Sequence, residues 1–328
     1  MEGTPITQVN NPNQAHVPTR ACLRQWVGFF VIGVLLYLAL YAWAEIQVRT
    51  TGQKNRFFMI ATAPPQKLDF VILGASHAMP LGFGDTEAQF EARSGATIMN
   101  LSNEGAGVLP NLFVYDYFSR RHSATNVIYV VDSFAFYSSE WNEDRLTDSD
   151  LFRRAPLDRD LIATFLAHPW SRGILPEYLS GFAKINGLYR LGSDIPDAES
   201  RKFTRTYRPN KQIDKTRIDY LFASEDPQAA IEKYLGDFAE LIARVQASGA
   251  DFIAVKLPTP PRYRDRLPGE AAFDAKMATI LDSAHVEMHD FSGVLPGDEF
   301  YYDTDHLNLA GVEAVAGLGL TDLLVDEK

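Results

Sequence analysis

The chain has 328 residues, 46% hydrophobic content and a formal net charge of −11. That size supports one large core plus an additional segment, and the acidity argues against nonspecific nucleic-acid binding, which needs a basic surface. The single cysteine, Cys22, excludes a disulfide framework and cysteine-ligated zinc, and is compatible with an oxidising compartment.

The first residues, rich in Asn, Gln, Pro and Thr, read as a disordered tail reaching to about residue 25. Trp26 to Ala44 is an uninterrupted uncharged run. At 1.5 Å per residue it is roughly 28 Å long, about the thickness of a hydrocarbon core. Trp26 at one end and Tyr41 and Trp43 at the other fit interfacial aromatic belts. As a signal peptide the run is too long and lacks a clean small-x-small cleavage site; a buried core helix is the other alternative. Arg20 and Arg24 precede the span while Arg49, Lys54 and Arg56 follow it, so charge does not set its orientation.

Residues 45–66 read as a juxtamembrane connector ending near Pro64-Pro65, and residues 67–328 as the main domain. Leu68 to Leu73 predicts a buried strand that runs into Gly74-Ala75-Ser76-His77. Asp85 to Arg93 is helical in composition and Gly95 closes it. A short strand over Ala96 to Asn100, a helix over Pro110 to Arg121 and a strand over Asn126 to Val131 follow. Asp226-Pro227 starts a helix that stops at Gly249, and Phe252 to Leu257 is a fourth strand halted by a proline cluster. A last helix is expected from Asn308 to about Val325. Strands alternating with helices imply a parallel sheet covered on both faces.

Residues 138–225 break that rhythm, being polar with Pro156, Pro169, Pro176 and Pro196. They read as an insertion forming a partial cap over the carboxyl ends of the strands, where open α/β sheets bind ligands. Within it, Arg201, Lys202, Arg205, Arg208, Lys211, Lys215 and Arg217 form a local basic run, either a solvated loop or a contact for an anionic polymer or lipid headgroup. Tyr137, Trp141, Tyr207 and Tyr263 could face a sugar, although aromatics this frequent are more often core.

Ser76 stands at the mouth of the first strand, and Asp303-Thr304-Asp305-His306 comes near the C-terminus. Together they supply a nucleophile, a base to take its proton and a carboxylate to orient that base. The three-residue spacing lets Asp303 reach one ring nitrogen of His306, leaving the other free to face Ser76. The backbone N–H of Ser76, between strand end and helix start, is free to face an oxyanion. The bland alternatives are an N-cap serine and carboxylates that cap the following helix. Asp303, Asp305 and His306 could also share a metal ion, but no second histidine or carboxylate cluster is placed to complete the shell, so no metal is assigned. His77 is a rival base; adjacent side chains in a turn tend to diverge, so it reads as lining the site, as do Ser133 and Asp305.

In these blocks the chain resembles the SGNH or GDSL hydrolases. Gly74-Ala75-Ser76 is similar to their first block, Asn100 followed by Gly105 to their second, and Asp303 with His306 to their last. The resemblance covers about residues 66–325 and implies a flavodoxin-like three-layer α/β fold behind one transmembrane helix. It further implies Ser76, Asp303 and His306 as catalytic residues, Ser76 and Gly105 as oxyanion donors, and no cofactor. The remaining block, Gly-x-Asn-Asp, is absent: Val130-Val131-Asp132-Ser133-Phe134 stands at that strand end. A Ser133 hydroxyl can donate one hydrogen bond, whereas an Asp132 carboxylate only accepts and would repel an oxyanion. With its anchor the chain looks most like the branch containing teichoic-acid D-alanylation and polysaccharide O-acetylation proteins. That implies an inner-membrane, single-pass protein whose domain lies on the periplasmic or extracellular side. It would transfer an acyl group, acetyl by analogy, to a polysaccharide acceptor, with a multi-span membrane-bound O-acyltransferase as partner. A carbohydrate esterase and a non-catalytic accessory subunit are the alternatives.

Overall fold

The computed structural model describes residues 19–51, 55–187 and 199–325. The expected tail at 1–18 and part of the insertion, 188–198, lie outside the described residues. The chain opens with α1 (Thr19–Thr51), a single helix that starts before the uncharged run and continues beyond it. Its Cys22–Thr51 portion is long and apolar enough to cross a membrane, and most of it is exposed. Residues 45–51 prolong this helix and α2 (Arg56–Thr62) follows, so the expected connector is largely helical.

The main domain then builds β1 (Lys67–Gly74), a 3-10 turn (Ser76–Gly82), α3 (Thr86–Ser94), β2 (Ile98–Asn100), α4 (Val108–Ser119) and β3 (Ser123–Val130). After the insertion come α11 (Pro227–Ala247), β4 (Asp251–Lys256), a short helix α12 (Pro261–Arg264), α13 (Glu270–Ser283), β5 (Met288–Asp290) and α14 (Leu309–Val315). Every strand pairing is parallel, and the order β2-β1-β3-β4-β5 is that of flavodoxin-like folds. The fifth strand and α13 escape notice in the sequence because Met288–Asp290 is three residues long and half-exposed. The expected final helix runs through α14 and continues as a π-helical segment to Leu320, where Gly319 takes φ 122°, and so ends short of Val325.

Alternation along the strands feeds two cores. From β1, Val71 and Leu73 face a core with α4, α11 and α13, while Phe70 and Ile72 face a second with the 3-10 turn, α3 and α14. Helix α11 begins as the sequence predicts, with Asp226 accepting from Ala229 N (3.1 Å) and proline in the first turn.

The insertion is mostly short helices: α5 (Glu143–Thr147), α6 (Ser149–Phe152), α7 (Arg159–Ala167), α8 (Leu175–Ser180), α9 (Phe182–Asn186) and α10 (Lys211–Leu221). Its aromatics lock onto α4. The Phe113 ring, fully buried, packs against Phe57, Phe152, Phe165 and Trp170 with centroids 5.0–6.3 Å apart. Phe113→Ala is therefore expected to destabilise the detergent-solubilised chain by about 3–5 kcal/mol, because the cavity joins four rings that cannot all collapse into it. A urea midpoint unchanged from wild type would refute the claim that these rings form one cooperative core.

Candidate active site

Strand β1 delivers the chain to Gly74, whose φ is +144° and where a Cβ would lie 3.0 Å from Val130 Cβ. Only glycine allows that approach between β1 and β3. Asn111 on α4 accepts the Gly74 N–H (2.9 Å), and Gly74 O accepts from Asn103 N (3.2 Å). Ser76 follows at the first position of the 3-10 turn, buried, where its N–H has no acceptor within that turn. β1 and β3 are the strands at which the order reverses, so Ser76 sits at the switch point where such folds bind ligands.

The last loop is fastened internally. Asp303 Oδ1 accepts from the N–H groups of Asp305 (3.1 Å) and His306 (2.9 Å), and Arg262 donates to the Thr304 carbonyl (2.9 Å). The His306 ring turns Nδ1 to both Asp303 carboxylate oxygens at 2.9 Å and stacks on Tyr302, centroids 5.5 Å apart at 11°. Its other nitrogen, Nε2, is buried and has no hydrogen-bond partner among the described residues. The His306 ring lies 4.9 Å from the His77 ring. Burial disfavours charge on Asp303, yet the His306 imidazole outweighs it and holds the carboxyl below its usual range.

His77 stands at the centre of the cluster. Its Nδ1 pairs with Asp132 and its Nε2 with Asp305 Oδ2 (3.2 Å). Burial alone would strip its proton, but Asp132 first and then Asp305 reverse this and push it up to about 10. The ring is thus an imidazolium with both N–H groups spent on carboxylates, so it is not the base for its neighbour Ser76. Asp305, almost fully buried, also accepts from Arg217 Nε (3.2 Å). Against that burial, Arg217, His306 and His77 hold its carboxyl far below the ordinary range. One Asp132 oxygen pairs with His77, and the other is buried with no hydrogen-bond partner among the described residues.

The counted charges are three carboxylates (Asp132, Asp303, Asp305) against His77 and Arg217. With His306 neutral the cluster carries one surplus negative charge; with His306 protonated it balances. That is the pattern a base needs if it is to hold a proton during the reaction. Ligand atoms of His77, Asp305 and His306 also lie within 4.8 Å of one another, a donor set of a kind transition ions accept. Here those donors are largely spent on each other: Asp305 already bonds two cations, and His77 ligates only after losing a proton two carboxylates retain.

Gly105 and Ser133 are less closely joined to this centre. Gly105 takes φ +60° and a Cβ there would meet the Trp141 ring at 3.2 Å, so close packing on Trp141 accounts for the glycine. Ser133 is buried at the start of the turn after β3. No hydrogen bond joins either residue to Ser76 or His306 among the described residues. Tyr137, Trp141 and Tyr263 are core side chains, and the Arg262 guanidinium lies 4.6 Å from the Tyr207 ring centroid. Sequence reasoning missed Arg217 and Asp132 as members. Both were visible only as a basic run and a failed motif, because their partners lie 88 and 55 positions away. A cavity of about 290 Å³ between α3 and the β2 end shares no residue with this cluster.

The His77 ion pairs set a pH signature. A histidine whose folded pKa is raised from 6.5 to about 10 contributes stability that is complete below pH 6.5 and fades as pH climbs through 10. Wild-type stability should therefore fall between pH 7 and 10, with His77 supplying at most about 1.4 kcal/mol per pH unit of the slope. His77→Gln should flatten that window in urea titrations. An identical slope in both proteins would mean that His77 is not held as an imidazolium.

No family profile matches the chain, and no curated protein matches it. Among solved structures it is similar to a proposed acylhydrolase from Bacteroides fragilis, at 11% identity over 86% of this chain and 96% of that one, with a TM-score of 0.41. A protein described as a proposed platelet activating factor from Streptococcus pneumonia matches at 11% identity over 90% of this chain and 99% of that one, with a TM-score of 0.39. At such likeness the chain's own strand order, rather than these neighbours, carries the assignment to a flavodoxin-like α/β fold.

Proposed function

We propose that the chain is a membrane-anchored serine O-acyltransferase of the SGNH type, acting outside the cytoplasm on a cell-envelope or exported polysaccharide. The observation that carries this reading is His306: one nitrogen is locked to Asp303, and the other is buried, unpartnered and beside the Ser76-His77 turn. In the proposed cycle Ser76 Oγ attacks the acyl carbonyl while His306 Nε2 takes the hydroxyl proton. The carbonyl oxygen becomes an oxyanion facing the Ser76 N–H, and Gly105 is the second donor the motif implies. Collapse expels the leaving oxygen, which receives the proton from His306, and leaves the acyl group on Ser76. An acceptor hydroxyl then attacks that ester, gives its proton to His306, and the proton returns to Ser76 as the acyl group departs on the acceptor.

The acetyl identity, the polysaccharide acceptor and a multi-span acyltransferase partner are drawn from the motif resemblance. Ser76 is buried, and no hydrogen bond joins it to His306 among the described residues. Catalytic hydrogen bonds often tighten only when substrate is bound. A carbohydrate esterase is the second reading, with water as the acceptor in the same cycle.

Ser76→Ala, His306→Ala and Asp303→Asn should each reduce acyl transfer, or turnover of an activated acetyl ester, by on the order of 10³–10⁴-fold while leaving the fold intact. Combined, they should cost little more than one alone, since the three act as a unit. Full activity in Ser76→Ala would rule out the acyl-enzyme. Orientation is separately testable. A reporter that works only outside the cytoplasm, fused after Lys328, should be active, and activity from a cytoplasm-only reporter there would contradict an exported substrate.

A further inference from the structure

The α8–α9 hairpin of the insertion is clamped to the apolar helix at a depth that a soluble domain would not reach. Between Arg24 and Glu45 helix α1 carries no charge, which sets the stretch available to a hydrocarbon core. Tyr37 lies eight residues before Glu45, about 12 Å further along the helix axis toward the bilayer centre. Its hydroxyl donates to the Ser180 carbonyl (2.8 Å), in the turn joining α8 to α9. Gly181, at φ +70°, presses on the Tyr41 ring so closely that a Cβ would collide with it. One turn of helix further on, Lys184 forms a buried ion pair with Glu45, which also accepts the Leu157 N–H (3.0 Å).

Flanking that turn, Leu179 and Phe182 are 42% and 54% exposed. Exposed apolar side chains are ordinary on a surface, but these two stand beside a helix that itself exposes Leu40 and Trp43. Several backbone groups of the turn are paired. Gly181 N donates to Glu177 O and Tyr178 O, Phe182 N to the Ser180 hydroxyl (3.2 Å), Ile185 N to Gly181 O (3.0 Å), and Ser180 O accepts from Tyr37. Inside a bilayer boundary that is a requirement, because no water is there to serve stray polar groups.

We infer that the Leu179–Phe182 turn is a second membrane contact, dipping below the headgroups beside α1 with the lipid acyl chains as its partner. A monotopic element buries its apolar face roughly 5–10 Å into this boundary, and the offset of about 12 Å at Tyr37 puts the turn slightly deeper than that. The contact would turn a tether into a rigid mount, holding the domain at one tilt to the membrane. It rests on α1 crossing a bilayer and is independent of the acyl-transfer chemistry.

The test uses the full chain with Cys22→Ser, which removes the sole native thiol, and single cysteines Phe182→Cys or Gln228→Cys carrying an environment-sensitive fluorophore. Gln228 is an exposed position at the start of α11. In phosphatidylcholine–phosphatidylglycerol vesicles containing doxyl-labelled lipid, fluorescence from position 182 should be quenched several-fold more than from 228, with blue-shifted emission. Equal quenching at the two positions, with the chain floating with the vesicles, would overturn the contact and point to water or a protein at this patch. A chain that does not float would overturn both the span and the contact, while labelling of Ser76 by a serine-directed probe would report on the proposed chemistry regardless.

Discussion

The candidate site depends on a buried imidazolium. His77 sits between Asp132 from the end of β3 and Asp305 from the last loop, and without its charge Asp132 would lose its cation and Asp305 one of its two. Removing one partner from a buried pair typically costs about 3–5 kcal/mol, far more than an exposed pair contributes. The pairing therefore decides how the C-terminal loop docks against the sheet, and with it where His306 stands. Arg217, reaching in from the insertion, completes the compensation. Three segments remote in sequence are thus tied to the Ser76-His77 turn by electrostatics that work only once water has been excluded.

Two kinds of group share the cluster and have different tasks. Asp303 and His306 form a local unit, closed by bonds within four residues, whose free nitrogen is available for chemistry. His77, Asp132, Asp305 and Arg217 form a long-range unit whose donors are committed to one another. The second unit positions the first, and its charge count leaves room for one more proton. At the end of β3, Asp132 is accordingly engaged by His77 rather than standing as a bare carboxylate.

Much of the fold was legible because it rests on local rules. The buried strands show as β-branched runs, and Asp226-Pro227 predicts the start of α11 to the residue. The two faces of the sheet follow from alternation along β1. Weak local signals were lost: β5 is too short for a pattern, and the final helix, π-helical from Ala316, ends short of Val325. In the candidate site, Ser76, Asp303 and His306 were legible because each belongs to a short motif. The roles of Asp132, His77 and Arg217 were not, since a charge at the end of a strand has no sequence mark of its partner. Only the fold determines whether such a carboxylate repels an intermediate or is neutralised.

The central claim is that Ser76 is a nucleophile activated by His306. Treating the full-length chain in detergent with a fluorophosphonate probe, followed by peptide mapping, tests it most directly. The account predicts one adduct, on Ser76, formed by the wild-type chain and nearly abolished in a folded His306→Ala variant. A folded wild-type chain that forms no adduct on Ser76, or a His306→Ala variant labelled at the wild-type rate, would contradict it.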